Sequence, residues 1–275
     1  MANRGLFALL ALLSTSAFAQ WLNYSDPRTP RTKDGKFNLT APAPRAPDGK
    51  PDLSGVWEPE PTPASEINRV LGEHFFDIQT DLRGTTKYLL NLFWDLKPEE
   101  YPLRPEGAAM VKQRRGSSPP TVYCLPGGIP FAMLVTPFKI LQAPREIVML
   151  FEHPDPPRQI HTDGRPLPKD PERSWEGSST GTWQGKTLVV ETIGFNGKSW
   201  LDTSGHPLSE SMHLTERFYR GDFGHMDVEM TFDDPTFYTR PFKVKIPMRL
   251  IPDSSDVLED VCAENETDRI HLERH

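Results

Sequence analysis

The chain has 275 residues, with 31 Lys and Arg against 38 Asp and Glu, a formal charge of −7, and 29 prolines. Nineteen glycines are too few for collagen, and prolines spread along the chain leave few uninterrupted windows for a long helical bundle. The acidic balance argues against a nonspecific nucleic-acid binder, which needs clustered Lys and Arg. Because 36% of the residues are hydrophobic, the chain can bury a core, which argues against wholesale disorder.

The first nineteen residues have the pattern of a secretory signal. Arg4 supplies the positive n-region, residues 6–13 the apolar core, and Ala17 and Ala19 the small-residue cleavage site before Gln20. The apolar run is too short to span a bilayer. We therefore predict a signal peptide at 1–19 and an exported protein, periplasmic or secreted, without a transmembrane segment.

Residues 20–52 form the next segment and are rich in proline. Six prolines lie in it, with scattered basic residues and almost no apolar periodicity. That composition is typical of a semi-rigid extended segment. We therefore predict a proline-rich extended arm at 20–52, followed by a single ordered domain at 53–275.

A partly helical stretch opens that domain. Apolar residues from Ile67 to Phe75 recur at steps of three and four residues, the spacing of one helix face. Residues 88–94 are a dense apolar run that fits a helix or a buried strand, and residues 99–115 predict a second helix. We place a helical insertion at about residues 65–116.

After Pro120 the pattern changes to short strands separated by turn signals. Asp163-Gly164 and Gln184-Gly185 mark tight turns. Consecutive strands without intervening helices indicate an antiparallel up-and-down meander, which usually closes into a barrel because closure removes the sheet edges. The predicted strands are residues 138–142, 146–153, 159–162, 177–183, 187–193, 211–220, 226–232, 242–250 and 257–263.

Two cysteines, Cys124 and Cys262, lie in the exported part of the chain. In an oxidising compartment an even pair most simply forms a disulfide. Two buried free thiols are the alternative. A catalytic thiol is disfavoured, because neither cysteine lies in a local activating motif.

Two resemblances to known families add to this. Gly55-Val56-Trp57, at the first strand, resembles the Gly-x-Trp signature of lipocalin-like (calycin) barrels, whose Trp packs across the closed end of the barrel. The resemblance implies a lipocalin-like barrel as the fold. The long stretch between residues 65 and 115 is a departure from a plain lipocalin. The resemblance therefore does not imply a simple open-mouthed carrier.

The second resemblance rests on short motifs in the second half of the chain. They are RPLP at 165–168, GTWQGKTLVVET at 181–192, GF at 194–195, WLD at 200–202, GHP at 205–207, TERF at 215–218 and DP at 234–235. Together they resemble a large, mostly uncharacterised family of exported soil-bacterial proteins with a lipocalin-like barrel. The similarity covers the chain from about residue 52 to the C-terminus. It implies the fold and export, and it supplies no reaction or catalytic residue.

The densest group of chemistry-bearing residues lies between 200 and 225. Asp202, His206, Glu216, Arg217 and His225 lie on or beside two strands that a hairpin would make neighbours. A histidine near a carboxylate can act as a general base, with an arginine to bind an anion, when the groups converge in a pocket. Glu216 and Arg217 point to opposite faces of one strand, so at most one of them faces the interior. Pairing of both with neighbouring strands is the alternative.

Aromatic residues supply candidates for ligand binding. Trp57, Trp183 and Trp200 can line an apolar cavity, although ordinary core packing would account for them equally. His161, on a short strand before a turn, is a further candidate.

Motifs for metal and nucleotide binding are missing from the sequence. It contains no His-x-His, Cys-x-x-Cys or His-Glu-x-x-His, no Gly-x-Ser-x-Gly elbow and no phosphate loop. We therefore expect no metal and no cofactor.

These patterns predict a mainly β protein, a monomeric exported barrel that binds a small, largely apolar or aromatic molecule in its interior. A subordinate version adds cofactor-free acid/base chemistry of the isomerase, lyase or hydrolase type. The competing hypothesis is a structural or interaction protein of the cell envelope without a small-molecule ligand. An enzyme requires that histidine and carboxylate side chains meet inside a cavity.

Overall fold

The computed structural model describes residues 26–72, 85–254 and 256–262. The predicted signal peptide, the beginning of the arm, Phe75 and Ala263 lie outside the described residues. Among the described residues, no helix combines the length and the apolar composition that a bilayer crossing requires.

Nine β-strands close into one barrel in chain order. β1 pairs with both β2 and β9, and this double pairing closes the barrel. A continuous cluster of buried apolar side chains from the strands and the helices forms the core. The strands are β1 (Gly55–Pro59), β2 (Phe138–Gln142), β3 (Glu146–Phe151), β4 (Arg158–His161), β5 (Ser178–Gln184), β6 (Thr187–Ile193), β7 (His213–Arg220), β8 (His225–Asp233) and β9 (Phe242–Leu250).

One strand pair departs from the predicted antiparallel meander. β4 and β5 run parallel, with Ile160 opposite Ser179 and His161 opposite Thr180, whereas the other eight pairs are antiparallel. Nine strands that simply alternated in direction would bring β9 parallel to β1. One parallel pair therefore restores the antiparallel closure. The long connection between β4 and β5 makes this possible, since parallel neighbours need a crossover.

The alternation of buried and exposed residues accounts for most strand bounds. β2, β6 and β9 have the predicted bounds, and the other strands after Pro120 end within two residues of theirs. The strand predicted at 257–263 is absent from its described part, because residues 257–261 are irregular. Since β1 and β9 already pair, the barrel has no free edge for a further strand.

β9 shows which face of a strand determines its register. The even-numbered residues from 242 to 250 are buried and the odd-numbered ones are exposed, apart from the half-buried Pro247. Burying one aliphatic side chain stabilises the fold by roughly 1.5–3 kcal/mol. The outward ion pair between Lys243 and Glu229 is exposed, and such pairs contribute about 1 kcal/mol or less. The apolar face therefore decides how β9 pairs.

Four short helices among the described residues lie between β1 and β2: α1 (Ala64–Leu71), α2 (Lys87–Leu90), α3 (Pro105–Arg114) and α4 (Phe131–Val135). The single helix predicted at 99–115 is divided. A 3₁₀ turn spans Pro98–Glu100, and α3 starts afresh at Pro105, where the missing N–H of proline costs little. Phe93 packs against Phe242, with ring centroids 4.8 Å apart. This contact holds the stretch after α2 against the end of the barrel where β9 begins.

The described part of the proline-rich arm, residues 26–52, docks on the barrel. It forms two tight turns, closed by bridges between Arg31 and Phe37 and between Arg45 and Pro51. The backbone N–H groups of Phe223 and Gly224 donate to carbonyl groups of the arm at 2.8 and 2.7 Å. The arm is thus attached to the turn between β7 and β8.

This docking requires a glycine at position 224. A Cβ atom added there would lie 2.5 Å from Cβ of Leu39 and 3.1 Å from its carbonyl oxygen. We expect Gly224→Ala to displace the arm and to expose it to limited proteolysis, while far-UV circular dichroism of the barrel stays unchanged. Gly221→Ala is the matched control, since its Cβ would come no closer than 3.7 Å to Tyr219. Equal protease resistance of both variants would contradict the expected docking.

Candidate functional site

The structure brings two of the predicted catalytic residues together, Asp202 and His206. Nδ1 of His206 lies 2.6 Å from Oδ2 of Asp202, and both side chains are buried. Oδ2 of Asp202 also accepts a hydrogen bond from the N–H of Leu92 at 2.7 Å. The His206 ring packs edge-on against Phe93. The pair therefore ties the segment after α2 to the loop before β7, which is a structural role.

Glu216 lies inside the barrel in a different network. Its carboxylate pairs with the guanidinium of Arg158, the first residue of β4, and both side chains are almost completely buried. Nη1 of Arg158 donates to Oε1 of Glu216 at 2.9 Å, and Nη2 donates to Oε2. Nη2 also donates to the hydroxyl of Thr192 at 3.0 Å, and Ser179 accepts a longer bond. The network links β4, β5, β6 and β7.

Arg217 and His225 lie on the outer surface. Arg217 donates to the amide oxygen of Gln184 at 3.3 Å, on the face opposite Glu216, as strand alternation requires. His225 is nearly half exposed, and its Nδ1 lies 2.7 Å from Oδ1 of Asp222 in the turn before β8. The five predicted catalytic residues therefore do not converge in one pocket. Asp202 with His206 and Glu216 with Arg158 share no hydrogen-bond partner among the described residues.

The three predicted ligand-binding tryptophans are used in packing. Trp57 is fully buried and donates from Nε1 to the Leu53 carbonyl at 2.9 Å, and the Arg220 guanidinium lies 4.8 Å from its ring. Trp183 packs against the core from a partly buried position on β5. Trp200 is buried beneath the guanidinium of Arg114, 4.9 Å from the ring. Ordinary packing, the alternative stated for them, accounts for all three contacts.

His161 lies beside a groove on the outside of the barrel. The groove has a volume of about 550 Å³ and follows the parallel pair β4 and β5 and the long connection between them. Four prolines and Trp175 supply much of its wall: Pro156, Pro157, Pro166 and Pro168. The side chains of Ser178 and Thr180 add hydroxyl groups. A concavity of this size and composition is suited to a small organic molecule.

Glu176 borders the groove and has no hydrogen-bond partner. It is the residue two before β5, it is 6% exposed, and both carboxyl oxygens are buried without a partner among the described residues. Burial raises the pKa of Glu176 to about 8, and the nearby carboxylate of Asp155 adds to the increase. The Arg158 guanidinium opposes this, and Glu216 raises the pKa further. Glu176 is therefore mostly protonated at neutral pH.

The raised pKa of Glu176 also lowers the stability of the fold at alkaline pH. An unfolded glutamate titrates near 4.5 and the folded Glu176 near 8. Between these values the unfolded chain releases a proton that the folded protein keeps, so the folded state loses stability as the pH rises through this range. A buried carboxyl group that costs stability and lacks a partner is typical of a functional position.

The sequence patterns do not identify Arg158 and Glu176 as candidate site residues. Arg158 is the inward neighbour of Ile160 on β4, and a strand predicted to begin one residue later leaves it in a turn. An arginine that shares the face of a buried isoleucine would have been the signal. Glu176 lies in the irregular connection before β5, where no periodicity indicates which side chains are buried.

The described residues contain no group of three or more His, Cys, Asp or Glu side chains that could hold a metal ion. No protein-family model matches the chain, and neither a curated protein nor a solved structure matches it. The chemistry of the groove therefore carries the argument about function.

Proposed function

We propose that the protein binds a small, largely apolar or aromatic molecule, and that the binding site is the groove beside β4 and β5. The observation that carries the proposal is the groove itself, about 550 Å³ in volume and walled by prolines and Trp175. This differs from binding in the barrel interior, because the described inward positions hold a packed apolar core and the Arg158–Glu216 pair.

Two further expectations belong to this proposal. A lipocalin-like barrel is supported by the closed nine-stranded sheet and by the buried Trp57 at its first strand, and such barrels suit small ligands. Export to the periplasm or the medium is supported by the disulfide between Cys124 and Cys262, since disulfides persist in oxidising compartments. The group best suited to acid/base chemistry is Glu176 rather than His206 or His225, because its pKa of about 8 lies near neutrality.

Binding of a neutral aromatic dye, N-phenyl-1-naphthylamine, tests the proposal. We expect saturable fluorescence enhancement with one dye per chain. Thr180→Trp places a large side chain in the groove and should weaken dye binding by about tenfold or more, equivalent to about 1.4 kcal/mol. Thr182→Trp is the matched control, since Thr182 is exposed on the same strand face and outside the groove.

Dye binding that Thr180→Trp leaves unchanged would exclude the groove. Absence of any saturable binding would favour the competing hypothesis, a structural or interaction protein of the cell envelope. Both variants keep the inward face of β5, so comparable thermal melting curves are expected for them.

A further inference from the structure

The carboxyl group of Glu176 is the polar group in the described chain that the fold explains least. Buried polar side chains are almost always hydrogen-bonded, and leaving one without a partner costs about 1–3 kcal/mol. Glu176 has two such oxygens on one carboxyl group, beside a groove large enough for a ligand. A ligand in the groove does not reach the buried oxygens, but a positive charge placed there would favour the ionised carboxyl group.

The charges around Glu176 indicate what kind of partner fits. Arg158 is the nearby cation, and its guanidinium already pairs with Glu216 and bonds to Thr192. Asp155 is a third carboxyl group, and it accepts a hydrogen bond from the N–H of Gly128 at 2.9 Å. Glu176 therefore lies near two other carboxyl groups and one guanidinium, so the excess of charge is negative.

The remaining titratable groups of the site do not neutralise this excess. His153 contacts the far oxygen of Asp155 at 2.7 Å. The side chain of Arg165, in the wall of the groove, is held by three hydrogen bonds to Asp163. His161 lies 3.9 Å from the carboxylate of Glu146. Arg145 also contacts Asp163, at 3.4 Å. None of these positive or proton-binding groups is hydrogen-bonded to Glu176 among the described residues.

We propose that the groove binds an organic cation whose positive charge lies against Glu176 and compensates its buried carboxylate; the proposal rests on the proposed function and specifies the ligand class. The proline and tryptophan walls suit an alkyl or aryl body. An aromatic side chain such as Trp175 also favours a substituted ammonium group when the cation lies over its ring. The cation takes the place of the proton that Glu176 carries in the empty site.

This exchange of a proton for a cation makes binding depend on pH. Glu176 has a pKa of about 8 in the unliganded protein, so pairing with a permanent cation at lower pH requires release of that proton. The affinity should therefore increase as the pH rises toward 8 and level off above it. A neutral ligand that accepts a hydrogen bond from the protonated group would show the opposite trend.

Isothermal titration calorimetry with phenyltrimethylammonium and its uncharged isostere tert-butylbenzene tests the proposal on the intact chain. Neither probe titrates, so any pH dependence belongs to the protein. We expect the ammonium ion to bind about tenfold more tightly than the hydrocarbon at about pH 8.5, and its affinity to fall about tenfold or more by about pH 6. The hydrocarbon should bind equally at both pH values.

Glu176→Gln should abolish both the preference for charge and the pH dependence while the hydrocarbon still binds. Glu172→Gln is the matched control, because Glu172 is exposed in the same connection and outside the groove. Equal binding of the two probes to the wild-type protein, or a charge preference that survives Glu176→Gln, would overturn the cation assignment and leave the groove as a site. Binding of neither probe would overturn the groove as well. The wild-type pH series decides the matter even when the variant does not fold.

Discussion

Replacing Glu216 by Ala is expected to lower the free energy of unfolding by about 3–5 kcal/mol, the usual cost of breaking a buried ion pair. The variant leaves the Arg158 guanidinium buried without its carboxylate. Burial lowers the pKa of Arg158, and the attraction of Glu216 outweighs it and holds that pKa above its ordinary value. Without Glu216 only hydroxyl groups and the neighbouring acids remain to offset the buried charge. Urea denaturation followed by circular dichroism measures the change.

Arg217→Ala is the control for this prediction. Arg217 follows Glu216 directly on β7 but faces outward, where its partner is the amide of Gln184, so its replacement should cost less than about 1 kcal/mol. The double variant Arg158→Met with Glu216→Leu removes both charges and should recover much of the loss, because an apolar pair needs no compensation. Similar stabilities of the Glu216→Ala and Arg217→Ala variants would show that the interior pair is not structural.

Periodicity predicts the strands of this barrel well and their directions less well. β9 follows from alternation alone, since successive side chains of a strand point to opposite faces of the sheet. The parallel pair of β4 and β5 depends on where the chain crosses between them. The connection at 162–177 is rich in proline and has no repeating pattern, so nothing local specifies that crossing.

The candidate site shows the same division between local and distant causes. That Glu216 and Arg217 lie on opposite faces is a local property of one strand, and the sequence is sufficient to predict it. The partner of Glu216 is Arg158, 58 residues earlier, and only the closed barrel brings β4 and β7 to a common interior. The raised pKa of Glu176 depends on its burial and on charged groups in two other segments, Asp155 with Arg158 and Glu216, which no single window of sequence contains.

The ion pair and the groove are parts of one region of the barrel. β4 and β5 share only two residue pairs, and the side-chain bonds of Arg158 to Ser179, Thr192 and Glu216 cross the same seam from inside. A groove with rigid proline walls needs a fixed floor, and this network supplies it. Loss of the Arg158 network should therefore weaken ligand binding as well as the fold.

Removal of the disulfide is expected to have an effect of similar size. Cys124 and Cys262 are bonded across a separation of 138 residues. By the chain-entropy relation, opening a loop of that length stabilises the unfolded state by about 5 kcal/mol. In the folded state the described residues 256–262 have few other attachments, chiefly the ion pair between Lys139 and Asp256. The double variant Cys124→Ala with Cys262→Ala should therefore unfold at much lower urea concentration than the wild-type protein.

Two measurements distinguish an effect of the disulfide on the unfolded chain from a local rearrangement of the folded protein near the cysteines. If the bond acts mainly on the unfolded chain, the variant and the reduced wild-type protein should have equal stabilities, and reductant should not affect the variant further. The slope of the free energy against urea should also rise, because an uncrosslinked chain exposes more surface on unfolding. Lys139→Ala is the control for the native attachment and should cost less than about 1 kcal/mol. An equally stable Cys variant would mean that the unfolded chain is already compact enough to hold the two segments together.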